Sequence, residues 1–444
     1  MNIHPINTSF KDPQFCVYQD EFDRIYRRIQ SNILPVVSNS PFFCKIIKSH
    51  ENGLFEIEKF SFQSFYFEYP FNQLKDSALD FLNCLEFLIN HDLIYVDGSP
   101  LNSTYQGNNV FLHFDFGSIQ KLDLSKGWTG YKQFLTEWLW ILYHLSQKTY
   151  IPAGYLCSYF NDNQWINFEK LSFKQKLRPS YWVHKSFLQS QKKESLKSSP
   201  SKDSPKSISK RNLLAFLELL KSDVKSAKLN IQKTKWHNYY SETVLQNQYL
   251  TKKESAFINL LKFHKIQESV FFVDWGANNG TFSRIICNEI SHSKVIAIES
   301  DYIAANELYE QSRQYNIIPI HANIFNPTPA IGFSNHYLSL LERLKKVANV
   351  HVALGLIHHL QHQHNLNYEQ IIKLFYTHSL IKSFLIIEFI GHNDERYKLI
   401  RNPNYPHTET IESFIEALEQ YYVIQLKIQL TDDRCLFLAE KKDC

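Results

Sequence analysis

No cysteine pair of the C-x-x-C type occurs in this chain, whose seven cysteines, Cys16, Cys44, Cys84, Cys157, Cys287, Cys435 and Cys444, lie scattered. An odd, unspaced set argues against a disulfide framework or a zinc site and for a reducing, cytoplasmic compartment. Nor does any apolar run reach the length of a bilayer: the most hydrophobic candidate, residues 134–145, is short and interrupted by Glu137. Residues 1–12 lack an apolar signal core. A charge excess is missing as well, since 48 Lys and Arg against 44 Asp and Glu leave only +4, too little to indicate a nucleic-acid partner. What the chain does have is 44% hydrophobic residues over 444 positions, enough for two cored domains.

The strongest local signal begins at a short apolar run, residues 270–273, which ends in Asp274-Trp275-Gly276-Ala277-Asn278-Asn279-Gly280 and opens into a helical pattern at Thr281. A strand delivers the chain to a tight turn there, Gly276 lets a ligand approach the backbone, and the helix start presents unpaired N–H groups. Such a corner suits a nucleoside-like cofactor. The spacing is not the G-x-G-x-x-G of dinucleotide folds, and the loop is expected to carry Asp274, whose carboxylate would repel a pyrophosphate. A carboxylate suits instead the cationic amino-acid end of S-adenosylmethionine (SAM). The next run, residues 295–298, ends at Glu299, which can accept both ribose hydroxyls. A third, residues 317–320, leads to His321-Ala322-Asn323-Ile324, where Asn323 would meet the adenine edge.

With these motifs, residues 266–444 resemble the class I SAM-dependent methyltransferases. The run from Val350 through His358 and His359, and the later Glu388 and Asp394, look like the corresponding stretches of a nodulation-protein-type subgroup. The resemblance implies an α/β, Rossmann-like, seven-stranded and mostly parallel sheet with SAM across the carboxyl ends of strands one and two. It implies Asp274, Gly276, Ala277, Asn278, Gly280, Glu299, Asn323 and Ile324 as cofactor contacts. Asn323 departs from the family's usual Asp. His358 is the first candidate for a general base or substrate-orienting group, with Glu388 and Asp394 as further candidates, and the step calls for no metal. A histidine at a strand end also serves simply as scaffold.

Around this unit, residues 190–210 hold lysine, serine and proline with almost nothing apolar, and read as a disordered tether. Residues 213–220 and 256–263 carry helical apolar spacing, and between them lies the aromatic group Trp236-His237-Asn238-Tyr239-Tyr240. Residues 211–265 are thus expected to cap the cofactor site. At the far end, a helix over 411–418 and strands over 423–430 and 435–440 fit a closing antiparallel hairpin.

Residues 1–189 form an α+β accessory domain with a second, shorter resemblance. A helix over 74–88 runs into Asp97-Gly98-Ser99-Pro100-Leu101-Asn102, and a strand over 110–114 leads to Asp115-Phe116-Gly117. The stretch resembles a kinase catalytic loop followed by Asp-Phe-Gly, in which Asp97 would orient a hydroxyl while Asn102 and Asp115 grip magnesium. Tyr95-Val96 stands in place of His-Arg, no glycine-rich phosphate loop is visible upstream, and Lys45 or Lys59 would be the nucleotide lysine. Alternating apolar residues over 53–69 suggest the remnant of an N-lobe. The default for this half is a scaffold or substrate-holding domain.

The expected activity is methyl transfer to an oxygen or nitrogen of an acceptor, with a small molecule or glycan favoured. A bifunctional kinase-methyltransferase on a glycan or lipid-linked end, and a SAM-binding protein without turnover, are the alternatives. The sequence leaves the oligomeric state open.

Overall fold

The structure, a computed structural model, describes residues 3–5, 17–146, 176–195, 207–229, 247–400 and 410–443. In the N-terminal half, β1 (Ile3–Pro5), β2 (Val17–Asp20), β3 (Ile25–Arg28), β4 (Ile46–Ser49) and β5 (Leu54–Ile57) form an antiparallel sheet ordered β1-β2-β3-β5-β4. Only the first residues of the alternating stretch 53–69 enter that sheet, as β5; the rest runs on to a single helical turn at Tyr66–Glu68. The helix Phe71–Asn90 follows. Its Leu74, Ala78, Phe81, Leu85 and Leu88 recur at three- and four-residue steps and are all buried, as an amphipathic helix on a core requires. Phe81 stacks between Tyr95 and Trp138.

Two nested hairpins come next. β7 (Ser103–Tyr105) pairs with β8 (Phe111–His113) inside the pairing of β6 (Leu93–Tyr95) with β9 (Ile119–Lys121). The nesting forces residues 96–102 against 114–118: Val96 N–H donates to the Ser118 carbonyl at 2.9 Å, and Phe114 N–H to the Asn102 carbonyl at 3.1 Å.

The C-terminal half holds the expected seven strands. They are β10 (Phe271–Trp275), β11 (Lys294–Glu299), β12 (Ile317–His321), β13 (Val350–Ala353), β14 (Phe384–Ile390), β15 (Tyr422–Thr431) and β16 (Arg434–Lys441), ordered β12-β11-β10-β13-β14-β16-β15. The first five in that order are mutually parallel, and β16 runs antiparallel to both its neighbours. The strands read as nearly continuous apolar runs because helices cover both faces. Val295 and Ala297 belong to one buried layer, with Phe257 and Phe282; Ile296 and Ile298 belong to the other, with Tyr309 and Phe375. That second layer is continuous with the core of the N-terminal half.

The connecting segment divides between the two halves. The helix Pro179–Ser195 continues into the stretch read as a tether, because Gln, Lys and Glu propagate a helix without needing a core. Residues 196–206 lie outside the described residues. Ile208 N–H is held by the Leu124 carbonyl at 3.0 Å, and Ser209 caps the helix Lys210–Ser226 through Asn212 N–H. That helix buries Leu213, Leu217, Leu220 and Val224 and packs on Phe71–Asn90, with Lys221 bonded to Glu86. Of the segment expected to cap the cofactor site, this first part therefore belongs to the N-terminal core. The helix Asn247–Leu261 packs instead against the C-terminal sheet and the helix Thr281–Glu289. The aromatic group at 236–240 lies outside the described residues.

The two halves also share a polar interface. Asn72 N–H donates to Asn306 Oδ1 at 2.8 Å, and Asp76 takes the Tyr309 hydroxyl at 2.8 Å and Arg313 at 2.6 Å. Glu68, fully buried, is paired with Arg343.

Candidate functional site

Strand order reverses between β10 and β13, since the chain leaves β10 toward β11 and β12 and only then crosses to β13. Ligands in open parallel sheets sit at such a reversal, outside the carboxyl ends of the strands. Asp274, Gly276, Gly280, Glu299 and the 354–356 turn meet there.

Gly276 (φ 71°), Asn278 (φ 50°) and Gly280 (φ 79°) all take left-handed backbone. At Gly280 a Cβ would also stand 2.4 Å from Leu308 Cδ1, so a side chain there would force Leu308 to shift. The loop is pinned by N–H groups of Gly276 and Ala277 donating to the Ile298 carbonyl at 2.9 and 3.0 Å. Glu299, the last residue of β11, accepts Asn278 N–H on one oxygen and Asp301 N–H on the other, both at 2.8 Å. Burial raises its pKa and those backbone bonds oppose the rise. Each carboxylate oxygen has two lone pairs, so one is left for a ribose hydroxyl on the oxygen that holds Asn278, while on the other the Ser300 hydroxyl donates at 3.4 Å, a long bond that a ribose hydroxyl would displace. Ala277 is buried in the turn.

Asp274 is not in the loop. It lies within β10, because the ladder to β11 continues through Trp275 opposite Ile298. Its carboxylate is buried and takes the Ser283 hydroxyl at 2.6 Å. Burial pushes its pKa up to about 6, against the pull of Ser283 and of Lys253. On the third strand's side, Ala322 N–H is held by the Glu299 carbonyl at 3.0 Å. Asn323 is exposed, with its carboxamide oxygen taken by Phe325 N–H at 2.9 Å, and Ile324 is half-buried beside it. Phe325 stacks on His364 at 3.7 Å.

The expected catalytic residues separate into two kinds. His358, in the helix Ile357–His364, is buried with no hydrogen-bond partner on Nδ1. Burial, with His359, Arg434, His362 and Lys253 nearby, drives its pKa well down, so the ring is neutral. Glu388 and Asp394 are engaged elsewhere. Glu388, fully buried in β14, takes Tyr249 Oη and Lys253 Nζ at 2.7 Å each and Arg434 at 3.4 Å. Burial opposes its ionisation, but Lys253 and Arg434 outweigh it and hold the pKa below the ordinary value. Asp394 receives Arg434 in a two-point grip, 2.7 and 2.9 Å. Both carboxylates are engaged in fixing the helix Asn247–Leu261 and the β16 start.

Lys253 escaped the sequence reading. It is buried beside the corner, 5.0 Å over the Phe282 ring, and close to Gly355. A lysine four residues after Tyr249, on the stripe that continues through Phe257 and Leu260, was the available signal.

In the N-terminal half, the nested hairpins gather Asp97, Asn102 and Asp115, and Glu137 joins them through Ser99, whose hydroxyl donates to it at 2.7 Å. Glu137 sits in a π-helical turn, Leu135–Leu139, and burial pushes its pKa up to about 7. The Asp97 loop is packed tightly: a Cβ on Gly98 would stand 2.4 Å from the Gly130 carbonyl. Neither Lys45 nor Lys59 reaches this cluster. Lys59 pairs with Asp23 at the surface, and Lys45 is exposed. The cation present is Arg27 of β3, which meets Asp115 at 3.1 Å. Among the described residues no group of three or more His, Cys, Asp or Glu is arranged to hold a metal ion, and no helix is long and apolar enough to cross a membrane.

Neither the comparison with protein-family models nor that with curated proteins finds a match. Solved structures similar to the chain include methyltransferases, one of them SAM-dependent by its own description, at low identity. A SAM-dependent methyltransferase from Aquifex aeolicus is 10% identical, covering 43% of this chain and 98% of its own, at a TM-score of 0.28. The fibrillarin pre-rRNA processing protein of Methanococcus jannaschii is 16% identical over 48% of this chain and 87% of its own, at 0.31. WbdD, crystallised with a kinase inhibitor, is 14% identical over 44% of this chain and 40% of its own, at 0.28. Each spans half of the chain or less, and the functional reading rests on the strand order and the corner rather than on them.

Proposed function

We propose that the chain is a class I SAM-dependent methyltransferase acting on an oxygen or nitrogen of a small-molecule or glycan acceptor. The observation that carries this reading is the meeting of Asp274, the left-handed Gly276–Gly280 turn and Glu299 at the strand-order reversal. Glu299 would hold the ribose, Asp274 the cationic amino-acid end, and Asn323 and Ile324 the adenine side. SAM, when bound, supplies an electrophilic methyl on a positively charged sulfur. The protein's own task is then to aim the acceptor's lone pair and to take its proton. His358 fits the first task, since a neutral, buried imidazole with an unpartnered Nδ1 accepts a hydrogen bond from the acceptor, while the burial and cations that lower its pKa disfavour full uptake of the proton. Calorimetry on the full chain with S-adenosylhomocysteine, the demethylated product, tests the reading. Binding in the micromolar range is expected, and heat with NAD but none with this ligand would sink it.

A second reading adds phosphoryl transfer in the N-terminal half, favoured by the convergence of Asp97, Asn102 and Asp115 with Arg27. Arg27, not either lysine, would then face the phosphates. ATP turnover that depends on magnesium and disappears in Asp115→Asn would support it, and an unchanged rate in that variant would remove it.

A further inference from the structure

Lys253 has hydrogen-bonding capacity that its neighbours do not use. The helix Asn247–Leu261 lays its side chain beside the cofactor corner, where the residue is only 7% exposed. An ammonium carries three N–H donors. Among the described residues Lys253 makes one hydrogen bond, to Glu388 Oε2 at 2.7 Å. The other Glu388 oxygen takes the Tyr249 hydroxyl and Arg434, and Arg434 is gripped in turn by Asp394. Two cations thus face two carboxylates, and the charges of that group balance. What is left over is N–H capacity in a buried place, where an unmet donor is costly. The surroundings of those donors are the corner itself. Nζ lies 5.0 Å over the ring of Phe282, two residues past Gly280, and the adjacent Ser283 holds Asp274. The 354–356 turn is equally near: Gly355 has φ 65°, and a Cβ there would stand 4.0 Å from Nζ and cover it. The same turn reaches the glycine loop, since a Cβ on Gly276 would stand 3.5 Å from Leu356 Cδ1. Burial, with Arg434, lowers the Lys253 pKa, while Glu388 and Asp274 oppose the fall.

We propose that Lys253 binds the carboxylate of the cofactor's amino-acid end while Asp274 takes its ammonium, so that the corner recognises a zwitterion and not a nucleoside alone. The proposal rests on the SAM reading of the corner. An α-amino acid end carries both charges on one carbon, which matches an acid and a base bordering the same buried site. Each half of the match is a charge-assisted hydrogen bond, the strong kind. A phosphate at the same donors fits less well, because Asp274 repels it. The missing side chain at Gly355 belongs to the same arrangement, since it leaves the flank of the ammonium open to the ligand.

Calorimetry on the full chain tests this by comparing S-adenosylhomocysteine with its decarboxylated analogue, in which a hydrogen replaces that carboxylate. The parent should bind the complete ligand about tenfold or more tightly, as a hydrogen bond between charged groups implies. In Lys253→Met the preference should vanish through weaker binding of the complete ligand. The analogue should bind the variant as well as the parent or better, because the cation facing its ammonium is gone, and that binding also shows the variant to be folded. Equal binding of the two ligands by the parent overturns the assignment without any variant. A preference that survives in Lys253→Met overturns it too, and in both cases the cofactor reading stands. A parent chain that binds neither ligand removes the cofactor reading and this assignment with it.

Discussion

Glu299 and Glu388 are both buried glutamates in the carboxyl-terminal part of parallel strands in one sheet, yet they have opposite electrostatic fates. Glu299 meets the N–H groups of Asn278 and Asp301, the Ser300 hydroxyl and no cation, so burial wins and its pKa rises. Glu388 meets Lys253, Arg434 and Tyr249, so the cations win and its pKa falls. On the proposed reading the first keeps acceptor capacity for a ligand, while the second is engaged by Lys253, Arg434 and Tyr249 in holding the fold. Residue type and strand position do not distinguish a binding carboxylate from a structural one; the packed neighbours do.

The sharpest way to break this comparison is to remove Glu388. Glu388→Ala leaves Lys253 and Arg434 buried without their shared counter-charge, a change that costs about 3–5 kcal/mol. The urea midpoint of the C-terminal half should fall strongly. A midpoint close to that of the parent would mean that Glu388 is available after all, and would restore it as a candidate base.

Glu299→Ala should act in the other direction, on binding more than on folding. Two charge-assisted bonds to ribose hydroxyls contribute about 1.5–3 kcal/mol each, so affinity for S-adenosylhomocysteine should drop at least roughly tenfold. The loss of the Asn278 and Asp301 N–H acceptors will loosen the turn, and Glu299→Gln separates the two effects by keeping an acceptor without the charge. Equal affinity in all three proteins would dissolve the contrast between the two glutamates.

How far the sequence revealed this difference depends on the distance between partners. The corner was legible because its parts are local: an apolar run, an acidic end and glycines at a turn, repeated strand after strand. Even there Asp274 was expected in the loop, since the ladder that carries β10 through Trp275 depends on β11 and on where that strand begins. The role of Glu388 was not legible, because Lys253 lies 135 residues before it and Arg434 46 residues after. The helix Lys210–Ser226 shows its apolar stripe plainly, but a stripe does not say which body it packs on, and it went to the N-terminal core rather than over the cofactor. Arg27 has no motif at all, and is found at the acidic cluster only once β3 packs against the turn that follows Asp115.

Acid sharpens the comparison further. The folded pKa of Asp274, about 6, lies above its ordinary 3.8, so the folded state holds the extra proton between those values. Its contribution to stability is therefore fully present below about pH 4 and is lost as the pH rises to about 6. Binding runs the opposite way, because the cationic end of SAM needs the ionised carboxylate. Affinity for S-adenosylhomocysteine should weaken about tenfold for each pH unit below 6, and Asp274→Asn should flatten that slope. A slope unchanged in the variant would assign the titration to another group, with Glu299 the first to examine.

The smallest effect is expected at Asp394. Its carboxylate is 13% exposed and grips Arg434 at two points, but Arg434 keeps Glu388 and the Tyr249 hydroxyl when Asp394 is neutralised. Asp394→Asn preserves the shape and one hydrogen-bond acceptor, so the loss should be about 1 kcal/mol, near the worth of an ordinary hydrogen bond. Binding of S-adenosylhomocysteine should not change, because Asp394 reaches the corner only through Arg434 and Glu388. The check is a urea titration alongside calorimetry of the same variant. A clear loss of affinity at nearly full stability would move Asp394 from the structural side of the comparison to the ligand side, and with it the boundary drawn between the two glutamates.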